Sequence, residues 1–145
     1  RSLANQELSK HNEAIKDCEE AIKLNPKYAD VFHVLGLSKN NLGKYEEAIK
    51  DCDEAIKLNP DNSEAFLVRS YPNNNLGKYE EAIKDCEEAI KLNPKYAEAF
   101  YHLGLLKDNL GKKKEGKKDY EKAAQLDISK KDINKIKERI RNSIT

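Results

Sequence analysis

Tryptophan and methionine are missing from this 145-residue chain, and phenylalanine occurs only three times, so Tyr, Phe and Leu are the main large packing residues. No apolar run approaches the ~18 residues that a membrane-spanning helix needs. The opening stretch, RSLANQELSK, has no charged-then-apolar-then-small pattern of a secretory signal. A cytoplasmic location is therefore expected, and the absence of an initial Met suggests a fragment or a processed chain. An excess of either charge is also missing. Lys and Arg number 27 against 26 Asp and Glu, net +1, which supplies no overall field for nucleic acid or an acidic partner. Site motifs are absent as well: there is no GxxxxGKS or GxxxxGKT, GxGxxG, HExxH or GxSxG. His11, His33 and His102 share no ligand spacing, and the carboxylates alternate with lysines without a distinguishable dyad. No enzyme activity, cofactor or metal is expected.

What is abundant is charge, 37% of residues against a globular norm of roughly 25%. Composition alone would place the chain near the disordered class. The order of the residues overrules that. GKYEEAIKDCDEAIKLNP at 43–60 returns 34 residues later as GKYEEAIKDCEEAIKLNP at 77–94, with one difference. An earlier copy ends at Pro26, and a drifted one, GKKKEGKKDYEKAAQLDI, fills 111–128. The register runs Ala14, Ala48, Ala82, Gly116, then Leu24, Leu58, Leu92, Leu126. Gly43, Gly77 and Gly111 begin only with the second copy.

Each copy reads as two helices. Ala48, Ile49, Cys52, Ala55, Ile56 and Leu58 step by three and four, which is an apolar stripe of helical period. Glu46 and Glu47 lie at the start and Lys57 near the end, complementing the helix dipole, and Asn59-Pro60 stops the helix. The preceding helix packs through Phe32, Leu35, Gly36 and Leu42 and closes on Gly43 as a left-handed cap. The pairs are expected at 29–42 and 45–58, 63–76 and 79–92, and 97–110 and 113–126. In the first copy, residues 1–8 supply part of one helix and 12–24 the next, which leaves apolar surface on 12–24 partly uncovered. After the repeats, Ser129 can cap a helix with Ile133, Ile136, Ile140 and Ile144 on one face. Such a helix covers the last open face of a stack.

A 34-residue helix-turn-helix unit with Phe32, Leu35-Gly36, Gly43, Tyr45, Ala48, Ala55 and Pro60, matched by Phe100, Leu103-Gly104, Gly111 and Ala123, resembles the tetratricopeptide repeat family. The resemblance implies an all-α, right-handed superhelical solenoid. Its array covers 1–128, with a partial repeat at 1–28 and repeats at 29–62, 63–96 and 97–128, followed by a capping helix at 129–145. It also implies a peptide-binding groove lined by the first helices. Asp30, Glu64 and Glu98 would form an acidic row. His33, Val34, Leu67, Val68, Tyr101 and His102 would form the centre, continued by Leu37, Tyr71 and Leu105. Asn40, Asn41, Asn74, Asn75, Asp108 and Asn109 would lie near the helix ends. The Lys, Arg and Asn clamp with which one subclass holds chaperone C-terminal carboxylates is absent: Val34, Val68, Glu64, Glu98 and His102 stand there, with Leu3 and Leu37 in place of the clamp Asn.

The copies also disagree. Arg69-Ser70 replaces Leu-Gly in the third copy and Pro72 sits mid-helix, where it removes a backbone hydrogen bond, so a kinked or shortened helix is expected. Cys18, Cys52 and Cys86 share one register position, held by Tyr120 in the last copy, and read as small core residues. Residues 107–145 carry 13 basic and 7 acidic side chains, net +6, against net −5 for 1–106. The function expected is a protein-interaction scaffold that holds a peptide or helix of a partner protein in the concave groove, the ligand having apolar anchors and basic residues. Self-association through the N-terminal end is one alternative, and docking of an anionic surface by the basic end, with nucleic acid or membrane disfavoured, is another.

Overall fold

The stop and start signals of the sequence become turns in the computed structural model, which describes residues 2–126, 135 and 137–142. Within residues 2–126 seven helices run in order: α1 (Ser2–Leu24), α2 (Ala29–Asn41), α3 (Tyr45–Leu58), α4 (Ser63–Asn75), α5 (Tyr79–Leu92), α6 (Ala97–Asn109) and α7 (Lys113–Gln125). Residues 137–142 are helical as well. The chain divides into two compact units, Arg1–Gly77 and Lys78–Thr145. Ser129, Ile133, Ile136 and Ile144 of the expected capping helix lie outside the described residues.

Local chemistry sets the turns. Gly43 and Gly111 both have φ of 81°, which an L side chain rarely adopts. Around each, the helix closes by a pair of bonds. The amide of Lys44 donates to the Lys39 carbonyl and that of Gly43 to Asn40, and Lys112 and Gly111 donate likewise to Lys107 and Asp108. At the other stops Pro does not act alone. The Oδ1 atoms of Asn25, Asn59 and Asn93 accept from the amides two residues on, at 3.1, 3.2 and 3.3 Å, and turn the chain around the proline.

In the first unit α2 packs on α1 and α3, and α4 lies against both α2 and α3. The seam of α2 and α3 is built on small residues: Ala48, Cys52 and Ala55 are fully buried, and a Cβ on Gly36 would come within 2.7 Å of Cys52 Sγ. In the second unit α6 packs on α5 and α7. There Gly104 faces the ring of Tyr120, which takes the cysteine's place.

Two expectations need correction. The first copy holds one unbroken 23-residue helix, α1, with no turn between residues 8 and 12. Ser9 occupies the register of Gly43, Gly77 and Gly111. Without a residue suited to positive φ the helix runs on. Secondly, of the kinked or shortened helix expected at Pro72 the shortened form is overturned, for α4 spans 13 residues as α2 and α6 do. Pro72 is buried, and Ser70, in place of the usual Gly, donates its hydroxyl to the Leu67 carbonyl within the same turn. Arg69 does not enter the seam as the leucine would. It lies over the Phe66 ring, 5.4 Å to the centroid, and pairs with Asp53 of α3 at 2.9 Å.

Candidate functional site

The sequence places eighteen candidate residues on α2, α4 and α6, and the structure sorts them by exposure. In the first unit Asp30, Val34, Asn41, Glu64 and Asn75 are exposed. Leu37, Asn40, Tyr71 and Asn74 are half-buried. His33, Leu67 and Val68 are buried and belong to the packing between helices. The exposure of Val34, at 43%, stands out because its register partners Val68 and His102 are sealed.

His33 is held by a chain of hydrogen bonds. Its Nδ1 meets Asn62 Nδ2 at 3.1 Å, while Asn62 Oδ1 accepts from the Ala65 amide at 3.1 Å and caps α4. An amide nitrogen can only donate, so Nδ1 accepts and the ring proton sits on Nε2. That nitrogen faces Glu64 Oε2 at 3.4 Å. The acidic Glu64 is thereby kept at the α2–α4 surface beside Val34's helix. At the other end of the same surface Asn75 Nδ2 donates to Asn40 Oδ1 at 3.0 Å, so the Asn row is joined across the two helices.

In the second unit Glu98 and Asn109 are exposed and His102 is buried. Tyr101, Leu105 and Asp108 are taken up elsewhere. Tyr101 packs against Tyr120, with ring centroids 5.6 Å apart. Leu105, Phe100, Ala124 and Ile140 join the same cluster around Tyr120 and Ala123. Asp108 Oδ2 accepts from the Tyr120 hydroxyl at 2.8 Å and meets Arg139 Nη2 at 3.3 Å. Burial and this bond to Asp108 push the Tyr120 phenol far above its ordinary value.

Sequence reasoning passed over two ion pairs. Lys39 Nζ lies 2.9 Å from Asp51 Oδ2, and Lys107 Nζ lies 2.8 Å from Asp119 Oδ2, each pair bridging the two helices of one repeat. Burial pushes both carboxyls above the usual range, although the lysines pull the other way. Lys39 and Lys107 share a register, and so do Asp51 and Asp119. That coincidence was the available signal. Among the described residues no three His, Cys, Asp or Glu side chains gather as a metal site, and no helix is long and apolar enough to cross a membrane.

Two helix pairs, α2–α3 and α6–α7, each with a small-residue seam and a glycine turn between partners, define a helix-turn-helix repeat protein. Family models agree over most of the length. A tetratricopeptide repeat matches residues 29–62, a TPR repeat matches 74–111, and a further tetratricopeptide repeat model matches 1–28 and 97–127. The chain belongs to the tetratricopeptide repeat family. Solved structures of similar fold include MamA, 24% identical with a TM-score of 0.78 over 93% of this chain and 77% of that one. A thermophilic TPR protein of Thermus thermophilus is 20% identical, with a TM-score of 0.80 over 97% of this chain and 76% of its own. The first TPR of Spaghetti, bound to the HSP90 peptide SRMEEVD, is 28% identical, with a TM-score of 0.71 over 81% of this chain and 94% of its own. No match is found among curated proteins.

Proposed function

We propose that this chain is a protein-interaction module whose first-helix surface holds a peptide with apolar anchors and basic residues. The observation that carries the reading is the α2–α4 surface. Val34 is exposed there, Leu37 and Tyr71 are half-buried, and Asp30 and Glu64 are exposed acids. The Asn40–Asn75 bridge lies near the helix ends of the same surface. Exposed apolar groups offer anchoring, and Asn offers both a donor and an acceptor to a peptide backbone. The acids favour Lys or Arg in the ligand and disfavour carboxylates.

The first TPR of Spaghetti holds an HSP90 peptide, so a peptide is a ligand that a related repeat array accepts. In this chain Val34, Glu64 and Leu37 stand where a cationic, Asn-bearing clamp would be needed for an acidic tail. The ligand here is of the opposite charge.

A peptide array probed with the full chain, followed by calorimetry, tests this. Basic peptides with aliphatic or aromatic anchors should bind at micromolar strength, and SRMEEVD should not. Tyr71→Ala should cost about 2 kcal/mol if the ring is an anchor. Asn74→Ala with Asn75→Ala should weaken binding while circular dichroism stays unchanged. Tighter binding of SRMEEVD than of any basic peptide would overturn the reading.

A second reading, self-association through α1, rests on its apolar stripe. Ala14 and Ala21 are half-buried where Ala48 and Ala55 are sealed, and Leu8 is half exposed. Light scattering that shows a concentration-independent monomer mass would discard it.

A further inference from the structure

We propose that Asp108 and Tyr120 form a binding site for an arginine carried on a helix, filled in this chain by its own Arg139, so that residues 137–142 act as a displaceable self-ligand. The proposal rests on the reading above for the nature of the partner, a basic segment with an apolar anchor. Its geometry stands on the second unit alone.

Three departures from the repeat pattern converge at this one place. Asp108 takes the register of Asn40 and Asn74 and supplies a charge. Tyr120 takes the register of Cys52 and Cys86 and supplies a ring and a hydroxyl. Gly116 takes the register of Ala48 and Ala82, and a Cβ there would stand 2.8 Å from both Asp108 Oδ1 and the Gly104 carbonyl oxygen. The small residue makes room for the carboxylate, and the Tyr120 hydroxyl, donating at 2.8 Å, turns Oδ2 toward the incoming cation. Tyr120 is fully buried with residues 137–142 in place, and Tyr101 of α6 also packs against its ring, 5.6 Å between centroids.

The arginine itself is the more exposed partner. Nε and Nη2 of Arg139 each lie 3.3 Å from the Tyr120 hydroxyl, and Nη2 lies 3.3 Å from Asp108 Oδ2. The guanidinium carbon is 5.9 Å from the centre of the Tyr120 ring, within cation–π range. These contacts are long for charge-assisted bonds. The Arg139 side chain keeps 38% of its surface in water, against 13% for Asp108. A buried acceptor facing a partly solvated cation is the arrangement of a receptor and an exchangeable ligand. Ile140, next in sequence, packs into the cluster of Tyr120 and Ala123. The motif read is thus an arginine beside an aliphatic residue on a helix. Covering Tyr120 would need only the aliphatic residue; the arginine, with its planar fork, adds selectivity.

The test uses a fluorescent peptide of sequence SKKDINKIKERIRNSIT, copied from residues 129–145, added to the full chain. In the wild type the tethered segment competes at high effective concentration, so anisotropy should show weak binding. Arg139→Ala should bind the peptide about tenfold more tightly, since the internal competitor is weakened. Arg139→Ala with Asp108→Asn should lose that gain. Arg139→Lys, which keeps the charge at a partly exposed helix position, should fall between. Excess peptide on the wild type should also speed amide exchange of residues 137–142. Equal affinity of wild type and Arg139→Ala, a gain that survives Asp108→Asn, or exchange of 137–142 indifferent to peptide would each overturn the proposal. Val34→Lys separates the two sites: it should weaken peptides selected on the α2–α4 surface and leave this binding unchanged.

Discussion

Lys39 and Asp51 meet at 2.9 Å in the seam between α2 and α3, with only 15% and 16% of their side chains exposed. An ion pair so placed gives up most of its hydration, and its attraction has to offset that loss. Removing one partner should hurt more than removing both. Lys39→Met alone is expected to cost about 3 kcal/mol by leaving a carboxylate buried without its cation. Lys39→Met with Asp51→Leu should return to within about 1 kcal/mol of the wild type. Urea denaturation of the three proteins measures this. A double variant less stable than the single would show that the pair is a net source of stability.

The same burial sets a pH dependence. Asp119 sits above its ordinary carboxyl value because desolvation outweighs the pull of Lys107. A carboxyl raised in the folded state binds its proton more tightly there than in the unfolded chain. Its contribution to stability is therefore fully present below the unfolded value of about 3.9 and is lost as pH rises through the folded value. Relative to Asp119→Asn, which does not titrate, the wild type should lose stability as pH is raised from about 3 through the carboxylate range. Thermal melts of both proteins at a series of pH values check the sign. A difference that instead grows in favour of the wild type with rising pH would mean that Lys107 dominates.

The helix pairs were legible because the stripe, the glycine and the Asn-Pro stop repeat in phase; the boundaries of α2 to α7 differ from expectation by one residue or none. Where a copy departs from the pattern, the departing residue itself carries the signal. Ser9 lacks the freedom of Gly43. The lost turn was written in that one residue, yet the period suggested a turn. The candidate surface was harder to read. A period assigns equal roles to Val34, Val68 and His102, while exposure depends on what lies across the helix. Arg139 stands outside the repeat altogether, so no register could point to its partners Asp108 and Tyr120.

Gly36 and Cys52 are matched in size. A Cβ on Gly36 would stand 2.7 Å from Cys52 Sγ and 3.1 Å from the Ala48 carbonyl oxygen. Gly36→Ala should then destabilise by about 1–3 kcal/mol through overpacking. Cys52→Ala in the Gly36→Ala background should recover part of that loss, because the nearest atom is removed, whereas in the wild type it leaves a void. The double-mutant cycle should show a favourable coupling of at least about 0.5 kcal/mol. Strict additivity would mean that the helices shift apart rather than clash.

The three thiols should differ in accessibility although they share one register. Cys52 and Cys86 are fully buried, while Cys18, on α1, retains 7% exposure. Burial raises the Cys18 thiol above its ordinary value, and the carboxylates of Asp17, Asp51 and Glu19 raise it further. Since the thiolate is the reactive species, this suppresses reaction even where the sulfur can be reached. At Cys52 and Cys86 a reagent has to wait for the helices to open, so labelling there reports local unfolding. Under native conditions all three are expected to label far more slowly than in denaturant, with Cys18 first. Mass spectrometry of a labelling time course resolves the order. Modification of Cys52 or Cys86 before Cys18, or completion as fast as in the unfolded chain, would contradict the packing of these small side chains in the core.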